Sequence, residues 1–116
     1  MPISPFDSKL FAGLFSDPEV AALFSDEAAI AAMLTVEVAL AKVQAGCGVI
    51  PQSAYRQIAE DLAEFAPDPA KLSEGTARSG VPVPALLGAA RSVIGEKGRE
   101  FLHWGATSQD IVDTAL

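Results

Sequence analysis

The stretch from Ala28 to Ala45 constrains the fold more than any other part of the chain. Ile30, Met33, Leu34, Glu37, Val38 and Ala41 recur at helical spacing. Ser25-Asp26-Glu27 ahead of them supplies a cap and first-turn acids, and Gly46 and Gly48 follow as stop residues. A helix of that length with one apolar stripe has to bury the stripe against other elements. The punctuation elsewhere makes those elements helices too. Asp17-Pro18-Glu19 opens a short helix through Leu23. After Pro51, Tyr55, Ile58, Ala59, Leu62 and Phe65 keep helical spacing as far as Pro67, with the aromatics as core filler. Asp68-Pro69 starts an amphipathic piece that ends near Arg78. Ser79-Gly80-Val81-Pro82-Val83-Pro84 reads as an extended, proline-stiffened connection. Leu86, Leu87, Ala90, Val93 and Ile94 then form the face of another helix, and Gly95-Glu96-Lys97-Gly98 breaks it as a loop. No stretch alternates with period two between turns, so the expected class is all-α, a bundle of short helices.

Charge and composition exclude several functions. With 8 Lys+Arg against 15 Asp+Glu and a net charge of -7, the basic residues are scattered and form no counterion-releasing stripe, so no nucleic-acid partner is expected. The Ala28–Ala45 run is interrupted by Thr35, Glu37, Lys42 and Gln44, which predicts no membrane-crossing segment. One histidine and one cysteine, His103 and Cys47, cannot make a metal ligand set. An unpaired cysteine and a start, MPISPFDSK, without the charged-then-apolar order of a secretory leader fit a cytoplasmic protein. Glu37 inside the apolar stripe is either functional or paired, and the expectation is that it is paired or reaches water at the stripe's edge.

The residues best suited to chemistry lie at the carboxyl end, from Leu102 to Leu116. Taken locally, Thr107 with Asp110 three residues on is a variant capping box, Gly105 makes a tight turn, and Ile111, Val112 and Ala115 begin a buried helix. The same atoms permit a functional reading. Unpaired N–H groups and the partial positive charge of a helix start suit a carboxylate or phosphate, with Thr107, Ser108 and Gln109 adding donors. His103, just before the turn, is either a structural loop histidine or a group that donates to a bound anion.

The string His103-Trp104-Gly105-Ala106-Thr107-Ser108-Gln109-Asp110-Ile111-Val112-Asp113-Thr114-Ala115 resembles the first characteristic region of the fumarase/aspartase superfamily. Its H-W-G-A-T-S-Q-D wording is similar to that of the 3-carboxy-cis,cis-muconate cycloisomerases within it. Phe24-Ser25-Asp26, Met33 through Ala41, Gly48-Val49-Ile50-Pro51 and Gly80-Val81-Pro82-Val83-Pro84 resemble the same family in the same order.

The resemblance implies the amino-terminal helical domain of the superfamily over residues 1–104. Residues 105–116 would then be the substrate-anion-binding turn and the start of a long central-bundle helix. It implies a reaction without metal or organic cofactor on a small polycarboxylate. In the superfamily a base removes a proton beside a carboxylate and a fumarate-like product leaves; the cycloisomerases run an analogous addition that closes a lactone. Carried over by position, Thr107, Ser108 and Gln109 hold a substrate carboxylate, Asp110 braces the turn, and His103 hydrogen-bonds substrate or assists proton transfer. Gln109 stands where other members usually have Asn or Ser. The Arg-Tyr pair that adenylosuccinate lyases use for a nucleotide phosphate is absent, which argues against a nucleotide substrate, but an adenylosuccinate lyase or another succinyl-compound lyase stays open as the alternative.

The superfamily's second histidine region and its mobile Gly-Ser-Ser loop have no counterpart here, since His103 is the single histidine and no two serines are adjacent. The expectation is therefore an amino-terminal part of a homotetrameric enzyme, inactive alone. The alternative of another class is a helical interaction module whose exposed patch is Ile111, Val112 and Ala115.

Overall fold

A computed structural model of the chain describes residues 3–116. Among the described residues there is no strand. After a single 3-10 turn, Pro5–Asp7, come eight α-helices: α1 Ala12–Phe15, α2 Pro18–Leu23, α3 Asp26–Gly46, α4 Gln52–Leu62, α5 Pro69–Ser79, α6 Val83–Val93, α7 Glu96–Arg99 and α8 Ser108–Ala115. The caps act where the sequence places them. Asp17 accepts from the Glu19 and Val20 N–H groups, Ser25 from Ala28, and Asp68 from Ala70.

Helix α3 is the axis. It packs on α4, α8 and α5, while α4 also meets α7 and α6, and α6 meets α5 and α8. The stripe buries Ile30, Met33, Leu34, Glu37, Ala41 and Ala45. Ile58, Val83, Leu86, Ile94 and Ile111 complete the centre. By length and composition α3 could cross a bilayer, with a mean hydropathy of 1.5 over its best window, so the interruptions in Ala28–Ala45 do not disqualify it. In the fold it is instead the core helix, with a buried carboxylate at its midpoint.

Three sequence expectations change. The connection 79–84 is extended for only part of its length: Gly80, at φ 75, caps α5 by donating to the Thr76 carbonyl at 2.8 Å, and α6 has already begun at Val83. Proline fixes φ near the helical value and the first-turn N–H has no partner to lose, so Pro82 and Pro84 start a helix. Gly95-Glu96-Lys97-Gly98 is not a loop but holds the one-turn α7, anchored by Asp61 Oδ2 accepting from the Gly95 N–H at 2.8 Å. Val93 is 46% exposed, because Leu86, Leu87, Ala90 and Ile94 already occupy the inward side of α6.

Upstream of α3 the apolar side chains do not join this core. Leu10, Leu14, Leu23 and Phe24 are all mostly exposed, and α2 makes only a small contact with α3.

The α4–α7 contact depends on Gly98. A β-carbon there would lie 2.9 Å from Ile94 Cγ2, 3.0 Å from Ile58 Cγ1 and 3.2 Å from the Ala54 carbonyl oxygen. Gly98→Ala is therefore expected to destabilise by about 1–3 kcal/mol. Gly88→Ala, in the interior of α6 with open space around it, should stabilise by about 0.5–1 kcal/mol. Urea denaturation of the two variants checks both signs.

Candidate functional site

The segment between α7 and α8 is held by two points on one face of α3. Glu37 and Gln44 are seven residues apart, two helical turns, or about 10 Å along the axis. Glu37 Oε1 lies 2.6 Å from His103 Nδ1, and Gln44 Nε2 donates to the Trp104 carbonyl oxygen at 2.6 Å. The backbone turns twice to present these groups: His103 is left-handed at φ 61, the one non-glycine residue with positive φ among those described, and Gly105 is left-handed at φ 70. Histidine tolerates that region better than most side chains, at a cost of about 1 kcal/mol. Leu102, 2% exposed, pins the segment from below, and Arg91 Nη2 donates to its carbonyl oxygen at 3.4 Å. Trp104, 41% exposed, stacks at a tilt on Phe101, ring centroids 5.1 Å apart.

Thr107 begins α8 as its N-cap, and with Asp110 forms the capping box. The tight arm is the Thr107 N–H donating to Asp110 Oδ2 at 2.9 Å. The return arm, from the Asp110 N–H toward the Thr107 hydroxyl, is looser, and that N–H also donates to the Thr107 carbonyl oxygen at 3.1 Å. The exposed Thr107 hydroxyl is accordingly little engaged, and Ser108 sits half-buried at the first helical position. Gln109 points elsewhere: its Nε2 donates to Asp113 Oδ1 at 2.6 Å, one turn along α8. Thr107, Ser108 and Asp110 thus lie together at the start of α8, His103 lies in the preceding turn with its ring on Glu37, and the Gln109 amide is tied along the helix. Ile111 is 1% exposed, and Val112 and Ala115 are half-buried against the core, so the docking patch of an interaction module is covered.

Glu37 is the functional candidate that sequence reasoning left undecided. It does not reach water at the stripe's edge: its side chain is 1% exposed, against 13% for His103. Burial pushes its carboxyl above the ordinary value of 4.5, and the opposing hydrogen bond and charge of His103 and the charge of Arg91 do not outweigh burial. Its second oxygen, Oε2, is buried without a hydrogen-bond partner. The available signal was a carboxylate amid a stripe whose other members are apolar, which requires a partner, in a chain with one histidine. Among the described residues no cluster of His, Cys, Asp and Glu could hold a metal ion.

A raised pKa in the folded state means that the fold binds the proton more tightly than the unfolded chain does. Stability contributed by this group is complete below 4.5 and is lost as the pH rises through the folded value. Glu37→Gln, with no proton to lose, is expected to flatten that decline in denaturation curves recorded from pH 4.5 to 8. His103→Ala leaves the buried carboxylate without its partner and should cost about 3 kcal/mol at neutral pH, less in acid, whereas Glu37→Leu should stay within about 1 kcal/mol of the parent. Equal losses for the two variants would contradict the pairing.

No protein-family model matches the chain. It is 43% identical over 114 residues to a 3-carboxy-cis,cis-muconate cycloisomerase of Acinetobacter baylyi, covering 93% of this chain and 25% of that one. It is 40% identical over 100 residues to an N-acetyl-S-(2-succino)cysteine lyase of Enterococcus italicus, covering 86% and 22%. The crystal structure of a fumarate lyase from Mesorhizobium sp. BNC1 superposes with a TM-score of 0.82 at 40% identity over 87% of this chain and 24% of that one. The chain therefore spans about a quarter of the length of the relatives it matches. Sequence relatives and structural neighbours agree with the helical architecture, and over the quarter that it spans the chain belongs to the fumarase/aspartase (fumarate lyase) superfamily.

Proposed function

We propose that this chain supplies one carboxylate-binding segment of a cofactor-free enzyme acting on a small polycarboxylate, with 3-carboxy-cis,cis-muconate as the substrate and its lactone as the product. In that reaction one substrate carboxylate oxygen adds across a conjugated double bond, and the neighbouring carbon takes a proton. Negative charge accumulates on a second carboxylate on the way. Fixed donors aimed at that charge are what the chemistry needs.

The observation that carries the reading is the start of α8: a capped helix whose Ser108 and Gln109 N–H groups have no backbone acceptor, flanked by the Thr107 and Ser108 hydroxyls, with His103 four residues before the cap. Asp110 braces that turn through the Thr107 N–H. Gln109 joins only by exchanging its Asp113 bond for substrate. His103, with Nδ1 engaged by Glu37, meets the substrate through its other ring nitrogen, as hydrogen-bond partner or in proton transfer. A homotetramer whose sites combine several chains, a cytoplasmic location and a place in the breakdown of aromatic compounds belong to the same proposal.

The likeness to the Enterococcus italicus lyase favours a second reading, in which the substrate is a succinyl compound and the same turn holds its carboxylate. Assaying a full-length protein that carries this sequence against 3-carboxymuconate and against succinyl thioethers and amines separates the two. Lactonisation of 3-carboxymuconate is the expected activity. Thr107→Ala and Ser108→Ala should each lower kcat/KM about 10- to 100-fold. The 116-residue chain by itself is expected to have no measurable turnover, and lactonisation by it would refute the single-segment role.

A further inference from the structure

We infer that Glu37 is a positioning residue: its buried carboxylate accepts the Nδ1–H of His103 and so holds the ring in the tautomer that leaves Nε2 bare, for the ligand proposed at the α8 turn. The inference rests on the reading of that turn as a substrate site.

The geometry favours a fixed ring. Glu37 sits at the middle of a 21-residue helix and is 1% exposed, so its carboxylate moves little. Its partner lies 66 residues later, at 2.6 Å, a short contact for a nitrogen–oxygen pair. Gln44 and Arg91 hold the backbone on either side of the ring, through the Trp104 and Leu102 carbonyl oxygens. With Nδ1 consumed, Nε2 is the one ring nitrogen left for a ligand, and the ring keeps 13% exposure. The identity of the protonated nitrogen is set by the bond the other nitrogen makes.

A structural role alone does not account for the choice of glutamate. Oε2 is buried with no partner, and Glu37 stands among Ile30, Met33, Leu34 and Ala41. An apolar side chain of similar volume would fill the site without that desolvation cost. Arg91, whose charge also acts on Glu37, comes from α6 and leaves the carboxylate ionisable rather than replacing His103 as its partner.

His103 is the single histidine in the sequence, so two-bond proton–nitrogen correlation on the uniformly labelled 116-residue chain reads its tautomer without assignment ambiguity. Recorded where the ring is neutral, the parent is expected to carry the proton on Nδ1. Glu37→Leu should move it predominantly to Nε2. Glu37→Gln, whose side-chain carbonyl still accepts, should keep it on Nδ1. A parent protonated on Nε2, or a Glu37→Leu spectrum unchanged from the parent, overturns the inference. If Glu37→Leu does not fold, the parent and Glu37→Gln spectra decide. In a full-length protein carrying this sequence, Glu37→Leu should lower kcat about a hundredfold while KM stays within about threefold, with Glu37→Gln recovering most of the loss. An unchanged kcat also overturns it. A parent without turnover of 3-carboxymuconate or succinyl compounds counts against the proposed substrates and leaves the tautomer result standing.

Discussion

A buried carboxylate in an otherwise apolar stripe is the constraint around which the rest of the chain is arranged. Ionised Glu37 needs a donor within the core, and the fold delivers one from a segment 66 residues away. Together with the Gln44 bond to the Trp104 carbonyl oxygen, that bond fixes where the chain between α7 and α8 must pass. It also sets how α8 lies on α3, because the loop leads into α8 within five residues. The apolar contacts around it are non-directional and would tolerate small slips of one helix over another. The Glu37–His103 bond would not.

The same economy of charge governs the turn at Thr107. A chain with a net charge of -7 repels a polycarboxylate at long range, so attraction has to be local. The helix start supplies it without a net charge, through oriented N–H groups. Asp110 would oppose an anion there, yet its Oδ2 is spent on the Thr107 N–H, and Asp113 is spent on Gln109. Arg91 is turned inward, toward the Leu102 carbonyl oxygen and the field of Glu37.

Local signals were legible in the sequence because their physics is local. Asp17, Ser25 and Asp68 cap the helices they precede, since a cap is decided within three residues. The class and the stripe of α3 follow from periodicity. Where the reading failed, a residue had two uses. Pro82 and Pro84 stiffen an extended chain or start a helix, and packing of α6 against α5 selects the second. Gly95 and Gly98 look like breakers, but Gly98 is the close-approach residue that lets α7 lie on α4. Val93 and Ile94 both fit one apolar face, and the core had room for Ile94. The partner of Glu37 was beyond any such rule, because no spacing relates residues 37 and 103. The hydroxyls and backbone donors of the turn could be located from the H-W-G-A-T-S-Q-D string, whereas the diversion of Gln109 to Asp113 could not.

The two grips on the loop also explain why its backbone is unusual. To place a ring on Glu37 and a carbonyl oxygen on Gln44, consecutive residues must address points two turns apart on one helix face. An extended dipeptide would point the ring and the carbonyl in directions set by a strand-like pleat. Left-handed φ at His103, followed by left-handed Gly105, re-aims both. Glycine at 103 would relieve the backbone but provide no ring; a β-branched residue would provide bulk but resist the conformation. Histidine satisfies both requirements with a tolerable strain, and the two hydrogen bonds to α3 hold it there. Backbone strain, buried charge and the candidate chemistry thus converge on one residue, and the 21-residue helix behind it is the rigid body that makes the arrangement stable enough to use.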